Sequence, residues 1–177
     1  MFRLETERLI IRGWEPADRP AFAALTQHPE IMEFVHGGVP FTEEEIDAML
    51  ARQAKQLAEH DVCMGALVEK ATNRVVGVTG VQPLGTTGEM EIGWWLARDV
   101  WGRGYATEAG GAAMRHVLET LGRPLVYAII DPANARSKAV VERLGFHYDS
   151  RVTGAQLGHR LPDIVVDLFA RKRDATA

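Results

Sequence analysis

A chain of 177 residues that is 46% hydrophobic and 25% charged has the length and composition of one globular domain with a single sizeable core. Its net charge of −4 and pI near 5.9 argue against a nucleic-acid partner, whose phosphates call for clustered Lys and Arg, and suit a cationic amine. No apolar run approaches the ~18 residues of a membrane span, the opening MFRLETERLIIRG is charged throughout, and Cys63 stands alone, so the expectation is a cytoplasmic protein with no membrane partner and no disulfide framework.

Residues 3 to 12 read as a first strand with a polar interruption, followed by Pro16 and Asp18 at a helix start. Phe22, Leu25, Ile31 and Phe34 predict one helix broken near His28-Pro29, and the glycines and proline of 32 to 41 predict a loop. Thr42 with Glu45 three residues on is a capping-box signature for a helix with Ile46, Met49, Leu50, Gln53 and Leu57 on one face. Alternation over 61 to 69, the run RVVGVTGVQPL and the strand 89 to 97 predict three consecutive antiparallel strands. On the last of them period-two geometry sets Glu89, Glu91, Gly93 and Trp95 on one face, and Met90, Ile92, Trp94 and Leu96 on a core face. After Phe146 two strands are expected around a glycine-containing connector, with Ile164, Val166 and Leu168 facing the core. The domain is expected to span 1–171, with a frayed tail over 172–177.

The stretch EIGWWLARDVWGRGYATEA, residues 91 to 109, joins a strand to a helix through Gly102, Arg103 and Gly104. Glycines permit close approach of a ligand to the backbone, and the free N–H groups of a helix's first turn, with the positive dipole end behind them, suit a phosphate or diphosphate. Arg98 and Arg103 add charge there. No GxxxxGK[ST] run exists, and Thr107 occupies the third-glycine position of the dinucleotide fingerprint, so neither a P-loop nor a Rossmann site is expected. His147 and His159 have no spacing that suggests a metal.

Trp101 to Ala106 resembles the acetyl-CoA loop Q/R-x-x-G-x-G/A of the GNAT superfamily of N-acetyltransferases: Gly104 and Ala106 match, whereas Trp101 departs at the first position. A tryptophan there, with Thr6-Glu7-Arg8-Leu9 followed by Arg12, is similar to the RimJ/RimL-like branch. A second matching element runs from Leu125 to Phe146, where Asn134 and Ser137 fall on the family's N-x-x-S…LGF pattern. The resemblance implies an α+β fold: a single domain whose mixed, mostly antiparallel sheet of about six or seven strands is flanked by about four helices. It implies acetyl-CoA as cosubstrate and no metal, with Leu96, Ala97, Arg98, Trp101, Gly102, Arg103, Gly104, Tyr105, Ala106, Thr107 and Asn134 at the cofactor. The loop holding Phe34 and His36 would wall the acceptor site. Some relatives are dimers, so a homodimer is possible.

Two roles are open to Glu91. The resembling family often carries a basic glutamate at this place; otherwise it is a salt-bridged edge-strand carboxylate. Acyl transfer needs the free amine, and at neutral pH a lysine-like amine is deprotonated to only about one part in a thousand, so a base would help. Glu89 would lie farther from the loop. Asn134 is either a pantetheine ligand or a plain N-cap with Ser137 a spectator. If functional, Ser137 serves the leaving thiolate, with Tyr127 as substitute. The expected activity is direct acetyl transfer from acetyl-CoA to a primary amine, on a protein amino terminus or a small molecule. The rival from another class is a non-catalytic acyl-CoA-binding or regulatory protein of the same fold.

Overall fold

The polar interruption at Thr6–Arg8 divides the opening segment into two strands: β1 (Arg3–Glu5) and β2 (Leu9–Arg12) pair antiparallel, with the Thr6 N–H donating to the Leu9 carbonyl at 3.0 Å. This computed structural model describes residues 2–174. The further strands are β3 (Met64–Glu69), β4 (Arg74–Pro83), β5 (Met90–Leu96), β6 (Leu125–Ile130), β7 (His147–Thr153) and β8 (Val165–Lys172). Their order is β1-β2-β3-β4-β5-β6-β8-β7, so the division at Thr6–Arg8 supplies the eighth strand where about six or seven were expected. All neighbours are antiparallel except β5 and β6, which share a single parallel register pair, Glu91 with Tyr127. Beyond that pair no ladder joins them, and the ends of both strands line open clefts.

The helices are α1 (Arg19–Thr26), α2 (Pro29–Met32), α3 (Glu43–His60), α4 (Tyr105–Arg115), α5 (Ala135–Arg143) and α6 (Gly154–Leu157). α1 and α2 are separated at the predicted place because His28, preceding a proline, is held extended. The α3 capping box forms as its spacing dictates: Glu45 N–H donates to Thr42 Oγ1 at 3.2 Å and Thr42 N–H to Glu45 Oε2 at 2.9 Å. Asp18 does not cap α1 with its side chain. Its carboxylate accepts from Glu15 N–H and from Arg12, closing the turn before the helix. α6 was not expected, although Thr153 and Gln156 form a capping box at its start.

Both faces of the sheet are covered. Ile92 and Leu96 pack with Tyr105, Ala109, Ala113 and Val141 on one side; on the other, Met64 and Val78 pack with Phe22, Met32, Ile46 and Met49. The alternation predicted for β5 therefore holds, but the face carrying Glu91 and Trp95 is buried too, beneath α1 to α3. Val166 and Leu168 are buried as expected, whereas Ile164 lies just ahead of β8 and is half-buried. At the end of the chain Lys172 belongs to β8, Arg173 N–H donates to the Pro124 carbonyl at 2.8 Å, and Arg171 pairs with Asp174. Residues 175–177 of the expected tail lie outside the described residues. Among the described residues no helix is long and apolar enough to cross a membrane.

Candidate active site

β5 ends at Leu96, a short turn follows, and the backbone takes left-handed conformations at Gly102 (φ 75°) and Gly104 (φ 79°) before α4 begins. A Cβ on Gly104 would meet only the Arg8 guanidinium, at an ordinary 3.6 Å, so glycine is required there by conformation rather than by space. Among the described residues no side chain caps α4, so its first-turn N–H groups are of the kind that suits an anion.

The loop is held by the Thr6–Arg8 turn. Thr6 Oγ1 and Arg8 N–H donate to Glu108 Oε1 at 2.5 and 2.9 Å, Arg8 Nε donates to Glu108 Oε2 at 2.7 Å, and Arg8 Nη1 donates to the Arg103 carbonyl at 2.9 Å. Burial works against a charged Glu108, but these donors prevail and hold its carboxyl below the usual range. Beside it, the guanidinium groups of Arg8 and Arg103 each lie 4.6 Å from the Tyr105 ring centre, and the Tyr105 hydroxyl donates to Glu69 Oε1 at 2.5 Å. That phenol, with Thr72 and Arg103, keeps Glu69 low as well.

A cleft of about 960 Å³ opens over the loop. Of the expected cofactor residues, Leu96, Trp101, Gly102, Gly104, Tyr105, Ala106, Thr107 and Asn134 line it, whereas Ala97, Arg98 and Arg103 do not. The two arginines are engaged elsewhere: Arg98 pairs with Glu30 at 2.9 Å and Arg103 with Glu69 at 2.9 Å. The Ala97 N–H is likewise committed to the Val76 carbonyl at 2.8 Å, and the Leu96 carbonyl accepts from Trp101 Nε1 at 2.8 Å. Trp101 lies between the guanidinium groups of Arg98 and Arg136, at 4.5 and 4.1 Å. Arg136 and Arg143 from α5 line the cleft and were not singled out from the sequence; nor was the Arg8–Glu108 clamp, whose signal was the Thr-Glu-Arg-Leu run.

A second cleft, of about 540 Å³, lies on the α1 to α3 side and shares Phe34, Trp94, Trp95, Asn134 and Ser137 with the first. His36 and Glu91 line this second cleft alone. The His36 ring is held by the Val39 carbonyl at 3.0 Å and lies 3.5 Å from Glu45. Asn134 Oδ1 accepts from Ser137 N–H at 3.0 Å, so Asn134 does cap α5, while its amide nitrogen and the Ser137 hydroxyl have no partner among the described residues. Tyr127 lines neither cleft and packs among Leu84, Leu157 and Leu168.

Glu91 is 3% exposed, and β5 is an inner strand, so it is no edge-strand ion pair. Gln82 Nε2 donates to its Oε1 at 2.6 Å, while the buried Oε2 has no partner among the described residues. Burial pushes the carboxyl up to about 7, against the lowering effects of Gln82 and Arg52. Between the ordinary value of 4.5 and about 7, unfolding releases the Glu91 proton; stability therefore falls as pH rises through this window, and the penalty is complete above it. Glu91→Gln is expected to be more stable than wild type at pH 8 by on the order of a few kcal/mol, read as a higher Tm, and to match it near pH 4.5. Parallel thermal-unfolding curves across this range would show that the carboxylate is not desolvated.

A glycine-lined anion cradle follows the end of β5, a buried, half-satisfied carboxylate stands near the start of the same strand, and the two clefts over them share Asn134 and Ser137. The sequence profile of the Acetyltransferase (GNAT) domain matches residues 8–147, and the chain belongs to this family and is an acetyltransferase. It is 27% identical to the uncharacterized N-acetyltransferase p20 of Bacillus licheniformis, over 82% of this chain and 83% of that one. The crystal structure of an acetyltransferase from Agrobacterium tumefaciens shares 26% identity at a TM-score of 0.81, covering 98% and 95% of the two chains. The fold is also that of RimL, the ribosomal L7/L12 alpha-N-protein acetyltransferase solved with coenzyme A, at a TM-score of 0.77 and 18% identity over 98% and 99%. Among the described residues no group of three or more His, Cys, Asp or Glu side chains could hold a metal ion.

Proposed function

We propose that the protein transfers the acetyl group of acetyl-CoA directly to a primary amine, on a small molecule or a protein amino terminus. The observation that supports this most is the junction of the two clefts, where Asn134 and Ser137 stand between the glycine cradle and Glu91. The uncapped start of α4 suits the diphosphate, and the Asn134 amide suits the neutral pantetheine arm. Acetyl-CoA supplies the thioester. Glu91 takes the proton of the arriving ammonium, directly or through water, and its pKa near 7 leaves it ready to do so at neutral pH. The amine attacks the acetyl carbon, the carbon–sulfur bond breaks, and the nitrogen's second proton passes to the departing thiolate, which the Ser137 hydroxyl steadies, giving the amide and free thiol. Cys63 is buried, with its thiol pushed up to about 12 by burial, which suits a route without a covalent enzyme intermediate.

The test is release of free thiol from acetyl-CoA against a panel of amines, with mass spectrometry of the products. Absence of transfer to every amine, with CoA binding intact, would sink the reading. Asn134→Ala separates the two roles of that side chain. Loss of the cap is expected to lower stability by about 1 kcal/mol. Loss of the amide donor is expected to raise KM for acetyl-CoA several-fold, since such a bond contributes about 0.5 to 1.5 kcal/mol. A variant that melts earlier but keeps the wild-type KM would leave Asn134 as a cap alone.

A further inference from the structure

The second cleft contains more unsatisfied polarity than an uncharged amine would use. Six buried side-chain atoms among the described residues lack a hydrogen-bond partner, and four of them, Arg52 Nε, Gln56 Oε1, Glu91 Oε2 and Trp95 Nε1, belong to residues that line this cleft. Two are acceptors suited to an ammonium group and two are donors suited to an oxyanion. Arg160, from the connector before β8, lines the same cleft and lies over the Phe41 ring at 5.9 Å. Neither Arg52 nor Arg160 has a carboxylate within ion-pair distance among the described residues; the Arg52 Nη2 group donates only to Met49 Sδ, at 2.7 Å.

The cleft's own anions are engaged elsewhere. Glu33 pairs with Arg136 at 3.4 Å, Asp131 Oδ1 accepts from Ala133 N–H at 2.8 Å, and Glu91 is held by Gln82. Glu45 acts on Arg160 at longer range but accepts from Thr42 N–H and faces His36. Arg52 is lowered by burial foremost and then by Arg160, against the raising effect of Glu91 at longer range, and His159 beside them is also lowered, by burial foremost and further by both arginines. Arg52 is half-buried and Arg160 lies exposed at the cleft's rim, and two guanidinium groups that repel one another there form a site for a bidentate oxyanion, which would relieve the repulsion and the partial burial of Arg52.

We propose that the acceptor is a small amine that bears a carboxylate, an amino acid in the broad sense, bound with its amine toward Glu91 and its carboxylate against Arg52 and Arg160. The volume of about 540 Å³ is that of a small-molecule site. This rests on the acetyl-transfer reading and narrows it, since a protein amino terminus has no carboxylate at that distance unless a side chain provides one.

The experiment compares matched acceptors with the purified protein and acetyl-CoA: free α- and ω-amino acids against their amides and methyl esters, O-phosphoethanolamine against ethanolamine, and short peptides with free amino termini. At least one free acid is expected to exceed its amide at least tenfold in kcat/KM, with the difference mainly in KM. Arg52→Gln/Arg160→Gln is expected to abolish that ratio while keeping the CoA-induced rise in Tm, and Arg160→Lys to retain part of it. A ratio near one in the wild type, a ratio preserved in the double variant, or a phosphoamine or peptide preferred over every carboxylate would overturn the proposal. If no amine is acetylated, the activity reading fails, and the acceptor assignment is decided by binding: amino acids must still raise Tm of the CoA-loaded wild type more than their amides do, and not that of the double variant. A double variant that melts before wild type without ligand is replaced by the single variants, each expected to reduce the ratio.

Discussion

Glu91→Gln is expected to lower the rate with a lysine-like amine by about 10²-fold or more at neutral pH, with the deficit shrinking as pH rises. The glutamine keeps the shape of the side chain and an oxygen for Gln82, but it cannot take a proton. A strongly basic amine has to lose its proton before attack, whereas an α-amine with a pKa of about 7.7 to 8.0 is already partly neutral at pH 8 and should suffer less. In the wild type, activity should climb as Glu91 loses its proton and level off above about pH 7, whereas the variant should keep rising with deprotonation of the amine itself. The variant is also expected to be the more stable protein at pH 8, so a fall in rate cannot be assigned to unfolding. Rate against pH for both proteins and both amines decides the matter. Parallel profiles would move the base to Glu89 or to water.

Gly104→Val is expected to abolish the CoA-dependent rise in Tm. CoA or acetyl-CoA should bind wild type in the low micromolar to sub-millimolar range and stabilise it by mass action. At φ 79° a β-branched side chain is strongly disfavoured, and the loop would have to abandon the conformation that presents the α4 N–H groups. Because a Cβ there finds ordinary contact at 3.6 Å, the loss should come from the loop backbone and not from a clash in the core. A folded Gly104→Val protein with an undiminished shift would sink the cradle assignment.

The elements were legible where the pattern was local. Thr42 with Glu45, proline after His28, and the glycines before Tyr105 each set an element boundary through chemistry within four residues. The eighth strand was missed because Thr6–Arg8 reads as a blemish in one strand; what makes it a turn is Glu108, a hundred residues away. Separation in sequence likewise hid the fates of Arg98 and Arg103, which look like ligand charges in the sequence and pair with Glu30 and Glu69 in the fold. Burial of Glu91 was equally illegible, since alternation assigns faces without telling which of them a second layer covers. Arg52 and Arg160 come together only because α3 and the connector before β8 meet over one end of the sheet, and no spacing rule links them.

The Thr6–Arg8 clamp also bears on when the cofactor site comes into being. As the chain is synthesised, Arg8 exists for a hundred residues before Glu108 does, and closing a loop of that length has an entropic cost that only later contacts repay. The glycine turn can bend early, since its geometry is local, but the contacts that fix it against β3 and the Thr6–Arg8 turn join residues far apart in the sequence. A nascent or partly unfolded chain would thus present the Trp-Gly-Arg-Gly sequence without its anchored form, and tight coenzyme binding would belong to the completed fold alone.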